Sequence, residues 1–338
     1  MSELKVLMLV HPDCFPPAKA TIAEAEWAPW KTEFYVMKAL KQLGHQVLLQ
    51  PVSDDLEVLK RSMDMIQPHI VFNLLEEFKG VPKFESHVVS FLELLGVAYT
   101  GCNPQGLALG RDKALAKKIL KFQGIETPQF FSVDMGKKPK IPDGMNYPMI
   151  VKSLDEEASL GISQDSIVHD EKKLLKRIQF IHDSIGTPAL VEEYILGREL
   201  YVGVIGNQQL KVLPPWELHF GDLEKKGHPI ATRSVKFNKE YCEKHKIKRR
   251  AAKGLNPWLE RKIGNLSRDA FRALKMTGYA RMDLRLTEDQ KIYFIEANPN
   301  PELADRECFA NAARHMGLTY AELIGKIVRL GLAHHKAA

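Results

Sequence analysis

The sequence predicts an α/β protein with more than one domain, and three observations carry that expectation. Through the first hundred residues, short apolar runs alternate with segments of helical period, the pattern of a small parallel sheet wrapped by helices. After Gly101 the texture changes to strands, loops and helices in a less regular order. Residues 279–297 then alternate with period two on both sides of a short turn, which predicts a long hairpin. At 338 residues and 45% hydrophobic content, the chain is long enough to build two or three cores.

The elements follow in order. Lys5–Val10 (KVLMLV) reads as a buried strand, followed by a proline-containing loop over residues 11–19. Residues 33–43 have helical period and stop at Gly44, a C-cap. Strands at 46–50 and 70–75 flank a helix at 55–66, and a helix at 84–95 leads to a short strand at 97–100. Beyond Gly101 come a helix at 112–123, strands at 129–133 and 147–152, a helix at 171–185 and a strand at 189–194. The text from Glu199 reads as β-rich, and two amphipathic stretches, 308–316 and 320–332, close the chain.

Composition narrows the function classes. The net charge of +6 suits nucleic acid or an anionic small substrate equally, but the basic residues are spread along the chain. The one dense run, residues 244–253 (KHKIKRRAAK), has no interleaved aromatics to stack bases and reads as a solvated, mobile face. No nucleic-acid partner is expected. Cys14, Cys102, Cys242 and Cys308 show no paired spacing, so they read as free thiols of a reducing, cytoplasmic compartment. The first apolar run is too short for a signal peptide or a membrane span, so no membrane partner is expected.

Neither G-x-G-x-x-G nor G-x-x-x-x-G-K-[ST] occurs, which removes a dinucleotide fold and a P-loop. The informative segment is YARMDLRLTEDQKIYFIEANPNP, residues 279–301. Period two puts Arg281, Asp283 and Arg285 on one face and Met282, Leu284 and Leu286 on the other. Glu296 and Asn298 share a face of the second strand. With a turn centred between Glu288 and Asp289, that face is also the one carrying Arg281 and Asp283. Two carboxylates and an amide oxygen suit Mg²⁺, which takes few protein ligands and completes its shell with phosphates. A salt-bridged surface hairpin would show the same alternation, but the stiff Pro299-Asn300-Pro301 loop would hold the last ligand still. Lys152 ends a strand, and Lys113 sits in the first turn of a helix, where its charge opposes the helix dipole. Each lysine alone could be a surface residue. Residues 153–163, around Ser159 and Gly161, could close over phosphates or form an ordinary turn.

Taken in order, DK-x₃-K (112–117), IVK (150–152), the Ser/Gly loop, VEEYILGRE (191–199) and RMD…FIEANPNP resemble the D-alanine–D-alanine ligase branch of the ATP-grasp superfamily. ALKQLGHQV (39–47), VFNLLEE (71–77) and LELLGVAYTG (92–101) are similar to its N-terminal domain. The resemblance spans nearly the whole chain and is weakest at 11–32 and 218–260. It implies an ATP-grasp fold: an N-terminal parallel α/β domain at 1–105, a central lid domain at 106–195 and a C-terminal mixed-β catalytic domain at 196–338. It implies a soluble, ATP- and Mg²⁺-dependent ligase that joins a carboxylate to an amine through an acyl phosphate, with two Mg²⁺ ions and amino acid or peptide substrates. A homodimer is implied by the same analogy. Asp283, Glu296 and Asn298 would hold the ions, and Lys113 and Lys152 the ATP phosphates beneath the loop of Ser159 and Gly161. Glu192, Glu193, Tyr194 and Ile195 would line the adenine pocket, with Glu199 on the ribose. Lys236 would reach the γ-phosphate, and Arg281 would meet the oxyanion of the tetrahedral intermediate.

The substrate half departs from that pattern. Glu157-Ala158-Ser159 stands where those ligases have Gly-Ser-Ser, and Glu76-Glu77 where they have His-Gly. Their Ser-Pro-Gly-Met…Ser segment is Asn300-Pro301-Glu302-Leu303…Glu307 here, and a Pro/Trp-rich stretch replaces the N-terminal substrate loop at 16–30. A substrate carboxylate beside Glu302 and Glu307 would meet repulsion on the order of 4 kcal/mol per pair near 4 Å. Arg306 is the one residue expected to offset it. The expected acceptor therefore carries an extra amine or guanidinium, or lacks a free carboxylate. The competing readings are a D-alanine–D-alanine ligase proper, an ATP-grasp enzyme of another reaction type, a silent ATP-binding protein and a basic nucleic-acid module.

Overall fold

A computed structural model describes residues 2–155 and 161–336. The proposed phosphate-loop residue Ser159 and the neighbouring Glu157-Ala158 lie outside the described residues.

The N-terminal sheet has strands β1 (Lys5–Val10), β2 (Gln46–Pro51) and β3 (Ile70–Asn73), all parallel, in the order β2-β1-β3. Its helices are α1 (Ile22–Ala25), α2 (Lys31–Gln42), α3 (Glu57–Ile66) and α4 (Glu85–Leu94). β1 is buried from Val6 through Val10 because helices cover both faces, which is why it reads as a continuous apolar run. Val6, Met8 and Val10 pack with α2, whereas Leu7 and Leu9 pack with α3 and α4. The expected strand at 97–100 is an extended segment tied to β3 by Val71 N–H to Ala98 O (2.8 Å) and Thr100 N–H to Val71 O (2.9 Å).

Helices α5 (Pro104–Arg111) and α6 (Lys113–Phe122) lead into a four-stranded sheet. It contains β4 (Phe130–Val133), β5 (Met149–Ser153), β6 (Ile167–Val168) and β7 (Ala189–Glu193), in the order β4-β7-β5-β6 and antiparallel throughout. The helix expected at 171–185 is α7 (Glu171–Phe180) followed by one wider π turn, Ile181–Ile185. Its inner side meets Val133, Met149 and Val151.

The third sheet contains β8 (Arg198–Ile205), β9 (Lys211–Val212), β10 (Trp216–His219), β11 (Lys248–Ala251), β12 (Tyr279–Leu286) and β13 (Ile292–Pro299). Its order is β11-β10-β8-β12-β13, with β9 beside β8. Helices α8 (Arg233–Phe237), α9 (Lys239–Lys244), α10 (Pro257–Ala273), α11 (Cys308–His315) and α12 (Tyr320–His335) complete the described chain. Leu200, Val202, Val204, Ala280, Met282, Leu284 and Leu286 form one face, packed on α10 and α6 in a single core. The alternate residues form the other face, which is polar at Glu199, Arg281, Asp283 and Arg285 and apolar at Ile205 and Tyr279. α12 does not stay with this sheet: Leu323, Ile324, Ile327 and Val328 cover the N-terminal sheet beside α2.

Three expectations need correction. The basic run at 244–253 is not a mobile face: part of it is β11, an edge strand of the kind that exposed lysines protect from further pairing. The stretch read as β-rich also contains α10, opened by Asn256 as N-cap and Pro257 at its first position. The hairpin turn, finally, is not centred between Glu288 and Asp289. Leu286 pairs with Ile292 and Leu284 with Phe294, a register centred on Asp289.

Candidate active site

That register, continued, would pair Met282 with Glu296 and turn Glu296 into the core. A β-bulge prevents this. Between Asp283 and Leu284 the pairing skips Ile295, so Asp283 faces Glu296 and Arg281 faces Asn298. One extra residue moves every later side chain to the opposite face, so Glu296 and Asn298 join Arg281 and Asp283. The bulge is held from outside the hairpin: Lys117 Nζ donates to Ile295 O, and Phe294 N–H donates to Glu126 O at 2.8 Å.

On this face Arg281 donates twice to Asp283, at 2.6 and 2.8 Å, and lies 4.6 Å over the Tyr201 ring. Arg285 donates to Glu199 at 2.7 Å, and Tyr201 OH donates to the same carboxylate at 2.8 Å. Glu199, expected on a ribose, thus has both oxygens engaged by its own sheet. Burial alone would raise Glu296, but Lys113, Lys152, Lys236 and Arg281 outweigh it and hold the carboxyl down at about 2. Asp283 moves the other way, pushed up by burial and by the Glu296 charge against the pull of Arg281. Four cations focused on one carboxylate leave room for further anions, as a triphosphate would supply.

The donor set suits a hard cation carrying phosphates. Asn298 Nδ2 is buried without a hydrogen-bond partner among the described residues. Among those residues no three His, Cys, Asp or Glu side chains could hold a metal by themselves. A metal here would therefore take its remaining ligands from phosphate, as Mg²⁺ does. The expected stiff loop is present: Asn300 adopts φ +50°, accepts from Cys102 N–H at 2.8 Å and donates to Glu85 at 3.0 Å. Gly101 must be glycine at this crossing, since a Cβ there would lie 2.4 Å from Asn300 Oδ1 and φ is +100°.

Lys152 and Glu192 share a face of the central sheet, because Lys152 pairs with Leu190 and Ile150 with Glu192. Glu192 is clamped between Lys152 at 2.8 Å and Lys117 at 3.2 Å. Burial alone would raise the Glu192 carboxyl, but the two lysines overcome it and hold it below the usual range. Both oxygens thus face lysines, although Oε1 takes no hydrogen bond among the described residues. Glu193 is half-buried, near Gln129 N–H at 3.4 Å. Tyr194 OH donates to Pro229 O at 2.8 Å, and Ile195 follows, half-buried. Gly161 has φ +71°, and its carbonyl accepts from Arg177 on α7. Lys113 is buried at the start of α6, where the Asp112 side chain caps Leu115 N–H at 2.9 Å. Lys236 sits on α8, whose last carbonyls accept from Arg249 of β11 at 3.0 and 3.1 Å. A cavity of about 440 Å³ opens beside Lys236, walled by Trp27, Asn238, Lys239 and Arg249 among others.

The acids singled out in the sequence converge only partly. Glu77 faces His11 at 3.6 Å. Glu307 pairs with Lys31 at 2.7 Å, and the charges of Glu76 and Glu307 both act on Glu302. The cations near Glu302 are Lys31 and Arg249, not the expected Arg306. Arg306 is exposed on a left-handed turn, φ +72°. Sequence reasoning missed Lys117, Arg249, Lys31 and Glu33. Lys117 closes the DK-x₃-K run at 112–117.

Comparisons with known proteins identify the family. Residues 113–329 match the family described as D-ala D-ala ligase C-terminus. A D-alanine–D-alanine ligase of Carboxydothermus hydrogenoformans is 30% identical over 72% of this chain and 76% of its own length. An uncharacterised protein of Sinorhizobium fredii is 32% identical over 92% of this chain and 89% of its own length. In structure, the D-alanine–D-alanine ligase of Bacillus anthracis, solved with ATP, aligns over 99% of both chains at TM-score 0.75 and 19% identity. With the matched family covering well over half of its length, the chain belongs to the D-alanine–D-alanine ligase family of ATP-grasp, ADP-forming ligases.

Proposed function

We propose that the polar face of the third sheet is the Mg-ATP and acyl-transfer site of a carboxylate–amine ligase whose substrates differ from two D-alanines. The observation that carries this reading is the bulge, which spends one residue of register to put Glu296 and Asn298 beside Arg281 and Asp283. Asp283, Glu296 and Asn298 would hold two Mg²⁺ ions, which when bound neutralise phosphate charge and polarise the γ-phosphoryl group. Lys113, Lys152 and Lys236 supply fixed positive charge around Glu296, positioned for the phosphates. Lys117 and Glu192 support Lys152, so that charge is set before nucleotide arrives. Glu193, Tyr194, Ile195 and Glu199 border the nucleotide side, with Gly161 and Ser159 in the covering loop. Arg281 stabilises the oxyanion that forms when the amine attacks the acyl phosphate.

Division at residues 105 and 195 is part of this proposal, supported by three separate sheets. A reducing cytoplasmic setting is supported by four free cysteines, and no helix among the described residues is long and apolar enough to cross a membrane. A homodimer, implied by resemblance, would sediment at twice the chain mass. The test of function is phosphate release from ATP with a panel of amino acid pairs, D-alanine included. ADP and phosphate formed in step with a new amide supports the reading, and phosphate release unaffected by any amino acid overturns it.

A further inference from the structure

The cavity of about 440 Å³ beside Lys236 is built from two distant parts of the chain. Trp27 comes from the turn between α1 and α2, and the opposite wall from α8, α9 and β11. Lys236, Lys239, Lys246, Lys248 and Arg249 line it, against one acid among the described lining residues, Glu243. That acid lies 3.9 Å from Lys239 with both side chains more than half exposed, a pair that solvent screens. Lys246 reaches Asp222, outside the lining, at 3.4 Å. Such an excess of one sign in a concave space draws in an anion.

Hydrogen bonds fix the basic wall before anything binds. Asn238 ends α8 and caps α9, accepting from Tyr241 N–H at 2.9 Å, so Lys236 and Lys239 line the same space. Cys242 Sγ donates to Val235 O at 3.2 Å, which holds α9 against α8. Arg249 ties β11 to the same carbonyl and to Lys236 O, both through Nη2, leaving Nε and Nη1 for a ligand. The remaining walls are apolar. Trp27 is 59% exposed, its ring 5.8 Å from Lys239 Nζ and 6.0 Å from Lys31 Nζ. Ile247 packs in one cluster with Tyr201, whose ring carries Arg281 at 4.6 Å. The cavity thus ends one layer of side chains from the proposed oxyanion arginine. Among its described lining residues only Lys236 belongs to the proposed nucleotide set, and Glu76, Glu77, Glu302 and Glu307 are not among them.

We propose that this cavity is a subsite for a carboxylate side chain on one of the two substrates, an acidic amino acid in class. A bare phosphate would leave Trp27 and Ile247 uncovered, whereas methylenes leading to a carboxylate would lie against them. The carboxylate held here is not the one that reacts, because the lysines and Arg249 keep it ionised and apart from the metal face. The proposal rests on the ligase reading for the fate of the bound molecule but not for the binding itself.

The test is calorimetric titration of the full chain with ADP and Mg²⁺ present. Aspartate and glutamate are compared with asparagine and glutamine, each as both enantiomers, so that every pair matches in shape and differs in one charge. At least one acid is expected to bind about tenfold tighter than its amide. Lys239→Met combined with Lys248→Met should remove most of that preference, and Trp27→Ala should weaken binding of the same acid. Lys262→Met, which removes a charge from α10 outside the cavity, should leave the preference in place. Equal binding of every acid and its amide overturns the subsite. So does a preference that survives the double variant or falls equally in Lys262→Met. A non-hydrolysable ATP analogue should bind the double variant normally; a loss as large as that of the acid assigns the cavity to nucleotide and overturns the proposal. Inorganic phosphate bound in place of the acids, and lost in the double variant, overturns it as well. If an acid binds selectively but no amino acid pair stimulates phosphate release, the subsite stands and the ligase reading fails. Ligation of neutral amino acids without any preference for an acid has the reverse meaning.

Discussion

Glu192 and Glu33 are the same residue type at nearly the same burial, 1% and 5% exposed, and their carboxyls move in opposite directions. Glu192 sits between two lysines and stays ionised, while Glu33 sits among carboxylates and holds its proton. Burial penalises the charged form in both, so the sign is decided by neighbours. Around Glu192 the protein supplies its own counter-charges, Lys117 and Lys152. Around Glu33 burial dominates and the neighbouring charges are the acids Glu76 and Glu302, so the proton stays.

The largest effect should come from the proposed metal face. Glu296→Gln keeps the shape and removes the charge that four cations focus on. Turnover should fall by about 10³-fold, or ~4 kcal/mol in activation free energy, with the fold retained. Near-normal phosphate release by this variant would remove the metal assignment. Next, Glu192→Gln leaves two buried lysines facing each other. It should cost about 3 kcal/mol of stability in urea unfolding and weaken ADP binding measured by calorimetry. Glu33→Gln, the matching change on α2, should be neutral or stabilising, and a comparable loss there would erase the contrast.

The contrast also has a pH signature. Glu33 titrates near 4.5 when unfolded and about 8 when folded, so the native state binds the extra proton between those values. Stability should therefore fall as pH rises through that window, with Glu76, Glu302 and Cys14 as the groups in its field. Glu192, whose pKa is depressed, contributes stability above its unfolded pKa and loses it as pH falls through the folded value. Urea unfolding at pH 5 and pH 8 checks this, and Glu33→Gln should flatten the upper decline. The smallest effect expected is at Asp112. Replacing this N-cap with alanine should cost about 1 kcal/mol, seen as a lower urea midpoint, and loosen the start of α6 where Lys113 sits.

The parallel sheet was legible because a strand buried on both faces must be apolar at every position, and KVLMLV is. The shared face of Arg281, Asp283, Glu296 and Asn298 was legible from period two, but only in part. The turn is displaced by half a residue from its expected centre, and the bulge at Ile295 restores the face. Nothing local to the hairpin announces that bulge. It is fixed by Lys117 and by Glu126 O, both more than 165 residues earlier in the chain. Glu33 was hidden for a similar reason: within its helix it is an ordinary first-turn acid, and its raised titration comes from burial and from the distant Glu76 and Glu302. Asn256-Pro257 did carry a readable helix start, obscured by the strands around it.

The position of α12 affects how the chain can be made. One face of β1, with Val6, Met8 and Val10, is shared between α2 and a helix that begins at Tyr320. During synthesis the first sheet emerges early, yet part of its cover comes nearly 250 residues after β3. At ribosomal rates of roughly 5–20 residues per second, that face waits on the order of ten seconds or more. A nascent chain caught in that interval exposes an apolar sheet surface, which a chaperone would recognise and a protease cut before residue 320 would make permanent.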